Sequence, residues 1–123
     1  MREEARRLLE KAQRALRAAE TLANAGDPEF AAGRAYYAML HTAQALLRQR
    51  ELRYRRHTGV HSAYGEHFAK TGILDSKFHR WLLAAFNNRL TGDYDFEVRV
   101  DIETVTAMIE QAREFLQTAR RYI

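Results

Sequence analysis

A chain of 123 residues has the length of one domain, with 46% hydrophobic residues to fill one core and 29% charged residues to solvate its surface. The absence of cysteine excludes disulfides and thiolate metal sites and suits a reducing cytoplasm, and no run approaches the ~18–20 apolar residues that span a bilayer. The net charge of +4 is concentrated in one stretch, where Arg48, Arg50, Arg53, Arg55 and Arg56 stand against the single acid Glu51. Such a cluster suits phosphates, an acidic partner or simply a solvated helix end.

The predicted elements are all helical, since one proline and few β-branched runs leave little room for strands. Met1-Arg2-Glu3-Glu4 leads straight into an amphipathic pattern with no secretory core behind it. The first helix is expected over Glu3–Ala25, where Ala5, Leu8, Leu9, Ala12, Leu16, Ala19 and Ala23 recur at helical spacing. Gly26 ends it, and Asp27-Pro28-Glu29 supplies an N-cap, an N1 proline and an early acid for a second helix reaching Arg50. A short third helix is predicted over Gly59–Lys70, stopping before Gly72, and Asp75 is placed to cap a fourth over Ser76–Leu90. Thr91–Val100 reads as an ordered loop, and Asp101 starts a last helix with Val105, Met108, Ile109, Ala112, Phe115, Leu116 and Ala119 on one face. Long helices with short links bury their stripes best as one all-α domain over 1–123, an up-and-down antiparallel four-helix bundle with an additional short helix.

Two features stand outside a plain bundle. The second helix carries Arg34, Tyr37, His41, Gln44 and Arg48 at steps of three and four, opposite its apolar side. A guanidinium, phenol, imidazole and amide in line can bind phosphates, bases and protons. His41, between Tyr37 and Gln44, is the candidate for proton transfer near neutral pH. Beside that stripe Ala31, Ala38 and Ala45 recur every seven residues, which admits the close approach of another helix, of this chain or of a second subunit. The other feature is Arg89, which at about 100° per residue falls among Phe78, Leu82 and Ala85 on the apolar side of the fourth helix. A guanidinium that cannot shed its charge needs an anion, a route to water or a functional hollow there. Asp93 is positioned to orient it bidentately, with Tyr94 on the same rim. The five histidines lack metal-ligand spacing: His57 and His61 have Thr58-Gly59-Val60 between them and no metalloprotease glutamate, so no metal or cofactor is expected.

Gly33-Arg34-Ala35-Tyr36-Tyr37-Ala38 with His41, the His57-x-Gly59-Val60 segment and Arg89-x-x-x-Asp93-Tyr94 together resemble the HEPN-domain family, over about Glu3 to Tyr122. The resemblance implies a helical bundle, usually dimeric, of the small stand-alone kind encoded beside a minimal nucleotidyltransferase as a toxin–antitoxin pair. Active members resemble metal-independent endoribonucleases with an arginine followed after four to six residues by histidine. Here no histidine follows Arg89, and Tyr94 occupies that place. By resemblance, Tyr94 is also the position to accept a nucleotidyl group from the partner enzyme. The reading is therefore a cytoplasmic, homodimeric nucleotide- or RNA-binding protein with Arg34, Tyr37, Arg48, Arg89 and Asp93 on the ligand. The alternatives are an endoribonuclease using Arg89 and His41, with Tyr94 orienting substrate, and a non-catalytic dimeric adaptor.

Overall fold

The computed structural model describes the backbone of residues 1–94 and 100–123 and the side chains of residues 1–89 and 100–123. It contains α1 (Glu3–Asn24), α2 (Pro28–Arg48), α3 (His57–Tyr64) running into a π-helical turn (Gly65–Ala69), α4 (Lys77–Tyr94) and α5 (Ile102–Tyr122), with no strand among the described residues. The all-α bundle expected from the sequence is the observed fold.

Small residues at every third or fourth place set the packing of α1. Ala5, Leu9, Ala12, Leu16 and Ala19 are its buried positions, so three of the five contacts are made by a methyl group. This thin edge lies along α2, the most extensive helix pairing in the molecule. Gly26, at φ +83°, reverses the chain in a conformation that glycine adopts without steric cost. The pair is antiparallel, because Glu4 near the start of α1 meets Arg48 at the end of α2. In the same way Lys77 pairs with Glu114 at 2.6 Å and Asn88 reaches Met108, which runs α4 antiparallel to α5. The central helix is α2, packed against all four others and buried on most of its circumference.

Several boundaries differ from expectation. Asp27 occupies the N-cap of α2, but its side chain makes no capping hydrogen bond. Asp75 accepts from the backbone N of Lys77 at 2.9 Å and Asp101 from that of Thr104 at 2.7 Å, as caps should. The helix α3 begins two residues early, at His57, and becomes a π-turn closed by Lys70 N donating to Gly65 O at 2.8 Å. The largest change is in α4, which continues to Tyr94 through the start of the segment read as a loop. One glycine costs a formed helix only about 1 kcal/mol, so Gly92 does not stop it. The remainder of that expected loop, residues 95–99, lies outside the described residues.

The alanine row also takes a different place. Ala31, Ala38 and Ala45 are each fully buried within the single chain. Their small volume serves close packing inside the bundle, and the row presents nothing to a second subunit.

Candidate functional site

The polar stripe of α2 is held in register by the helix itself, and its centre is Tyr37. The Arg34 guanidinium lies 4.9 Å from the Tyr37 ring centroid, and the Arg89 guanidinium, arriving from α4, lies 5.3 Å away. Arg89 is also 5.7 Å from the ring of Tyr36. Aromatic faces attract such cations, which is how a half-buried guanidinium tolerates the apolar side of α4. His41 stacks on Tyr37 from one turn along, with ring centroids 5.9 Å apart, and its Nδ1 donates to Gln44 Oε1 at 2.8 Å.

Two adjoining hollows open around this centre. One, of about 380 Å³, is lined by Leu22, Glu29, Phe30, Gly33, Arg34, Tyr37 and Arg89. The other, of about 240 Å³, is lined by Lys11, Arg14, Ala15, Ala18, Arg34, Tyr37 and His41. Arg34 and Tyr37 belong to both. Four cationic side chains, Lys11, Arg14, Arg34 and Arg89, stand in these linings against the one acid Glu29, a balance of charge that favours anions.

A third element enters that the sequence reading did not place here. His57, the first residue of α3, sets its ring edge-on to Tyr37 at 5.7 Å and lies 6.2 Å from Tyr36. Burial, and then the nearby charge of Arg89, hold its pKa below the ordinary histidine value. The pKa of His41 is lowered too, by burial first, while its bond to Gln44 works the other way and Lys11, His57 and Arg34 add to the lowering. Beneath them, His61 is buried and its pKa falls to about 4, chiefly through desolvation. Burial raises the pKa of Tyr36, so its hydroxyl stays protonated, and it shares a 2.8 Å hydrogen bond with His61 Nε2.

Arg34, Tyr37, His41 and Arg89, named from the sequence, are thus brought together. Arg48 is not: its guanidinium pairs with Glu4 and borders a separate crevice with Arg53 and Tyr54. Asp93 stands one helical turn beyond Arg89 in the backbone of α4, with Tyr94 next to it, but the side chains of both lie outside the described residues. Sequence reasoning missed His57, Lys11 and Arg14. The two α1 cations carry a faint signal, being three apart on the polar side, whereas nothing in local spacing aims His57 at α2. No cluster of three or more metal-ligating side chains occurs among the described residues.

The HEPN domain model matches residues 5–122, and this chain belongs to the HEPN-domain family. It is 32% identical over 98% of its length to a protein of Methanocaldococcus jannaschii named as a candidate toxin, covering 82% of that relative. A second protein of that organism, named likewise, is 31% identical over 98% of this chain and 90% of its own length. A UPF0332 protein of Gloeobacter violaceus is 32% identical over 94% of this chain and 93% of its own.

Proposed function

We propose that this chain is a nucleotide- or RNA-binding HEPN protein, the toxin-like half of a pair with a minimal nucleotidyltransferase, acting in the cytoplasm as a homodimer. The observation that carries the reading is the convergence of Arg34 and Arg89 on one hollow, their guanidinium groups 4.9 and 5.3 Å from the Tyr37 ring centroid. Two fixed guanidinium groups beside a phenol and an imidazole match a phosphate with its attached sugar or base. The names of the two Methanocaldococcus jannaschii relatives support the toxin-like class. Phe30, 65% exposed on the groove's rim, is the side chain best suited to a subunit contact. No helix among the described residues is long and apolar enough to cross a membrane.

The test is binding of a fluorescent single-stranded RNA across a salt series. Each phosphate contacted contributes a slope of about −0.7 in log affinity against log salt, so two contacts give about −1.4. Arg34→Ala and Arg89→Ala should each weaken binding about tenfold and flatten that slope. Affinity too weak to detect at about 50 mM salt, or a slope near zero, would defeat the reading. A minimal nucleotidyltransferase in the adjacent reading frame is the expected finding for the pairing.

A further inference from the structure

Glu29 is the one acid lining the larger of the two hollows among the described residues. It sits half-buried in the first turn of α2 and makes no hydrogen bond or ion pair among those residues, although Arg34 and Arg89 line the same space. The hollow is therefore dipolar, cationic where the two guanidinium groups meet Tyr37 and anionic at Glu29. Gly33 lies midway, four residues from Glu29 and four from Tyr37, so all three share one side of the helix over about 12 Å. A glycine inside a helix weakens it, yet a Cβ at Gly33 would meet no packed neighbour within 4 Å. The bundle's own packing does not require the missing side chain. The space it leaves belongs to the hollow.

We propose that this hollow selects guanine among the bases: Glu29 pairs with the base edge, Gly33 gives the ring room, and Arg34 and Arg89 hold the phosphate. The proposal rests on the phosphate-binding reading above and adds to it the choice of base. Guanine carries two adjacent donors on its Watson–Crick edge, N1–H and the 2-amino group, and a carboxylate has two oxygens to accept them side by side. Adenine and cytosine each set one amino group beside a bare ring nitrogen, which would face the second carboxylate oxygen with no proton between them. Uracil offers a single N–H flanked by two carbonyl oxygens. Leu22 adds apolar surface to the same lining, so the pairing forms partly out of water, where a charge-assisted hydrogen bond is strongest.

The experiment titrates the full chain by calorimetry, at about 50 mM salt, with the 5′-monophosphates of guanosine, inosine, adenosine, cytidine and uridine. The guanosine nucleotide should bind at least about tenfold more tightly than those of adenosine, cytidine and uridine, with inosine, which lacks the 2-amino group, in between. Glu29→Gln keeps the shape of the side chain but turns one acceptor into a donor. It should lose the guanine preference and favour adenine, whose amino group and ring nitrogen match an amide. Gly33→Ala should weaken guanosine monophosphate about tenfold while raising the melting temperature, because alanine suits a helix interior better. A glycine of purely structural use would not separate the two readouts. Free nucleotide and strand carry the same base, and an RNA oligomer with a single guanine distinguishes them: no gain over the mononucleotide identifies the free form, added affinity the strand. Equal affinity for all five nucleotides, or guanosine monophosphate held as tightly by Glu29→Gln as by wild type, overturns the base assignment. Binding of none of the five by wild type instead sinks the phosphate-binding reading beneath it.

Discussion

Arg89 shows how a permanent charge is carried on an apolar helix face: its guanidinium rests against two tyrosine rings in place of part of its hydration shell. The rings are themselves fixed from below, where the Tyr36 hydroxyl is hydrogen-bonded to the neutral His61. That buried imidazole couples the fold to pH. His61 binds a proton near pH 4 when folded, against about 6.5 when unfolded, so between those values the unfolded chain holds the more protons. Stability is therefore full above pH 6.5 and is lost as pH falls toward 4, by about 3 kcal/mol from this group. Urea midpoints measured from pH 7.5 down to pH 4.5 should follow that fall, and His61→Leu should flatten it; an unchanged slope in the variant would refute the coupling. His41 and His57, also held neutral by burial, supply the residual dependence. Arg34, Tyr37 and His41 were legible in the sequence because one helix spaces them on one face. His57 was not, because its approach depends on how α3 docks, which no local period records.

Among the elements, the π-turn after α3 depends on one glycine. A Cβ on Gly65 would stand 2.6 Å from His79 Cε1 and 2.7 Å from its Nε2, closer than atoms pack. The ring cannot swing aside freely, since it donates to the His61 carbonyl from that position. Gly65→Ala should thus cost about 1–3 kcal/mol of stability by overpacking. In a His79→Ala background the same change should cost little, and a double-mutant cycle by chemical denaturation reads the difference. Equal costs in both backgrounds would place the strain elsewhere. Capping by Asp75 and Asp101 was legible from residue type alone. The run of α4 through Gly92 to Tyr94 was not, because a turn-prone composition is overruled once a helix is already propagating.

For the whole molecule, the concentrated positive charge proves to be partly structural. Arg48 and Arg53 share Glu4, tying the start of α1 to the end of α2. Arg50 donates to the Tyr122 hydroxyl at 3.0 Å and lies 4.4 Å from the Phe68 ring centre, joining the end of α5 to the same corner. Bundle architecture was readable from apolar periodicity, but the side facing each alanine was not, since a small residue suits an internal seam and a subunit contact equally. The burial of Ala38 decides between them. Ala38→Leu should destabilise the chain by about 1–3 kcal/mol and leave its mass in light scattering unchanged. A variant of full stability but altered mass would return the row to an intersubunit role.

Because Arg34 and Tyr37 wall both hollows, neither chamber can be occupied without consequence for its neighbour. A guanidinium drawn toward an occupant on one side has turned from the other, so two separate anions would compete for it. One longer molecule lying across the shared tyrosine would escape that rivalry, meeting Arg89 at one end and Lys11 or Arg14 at the other.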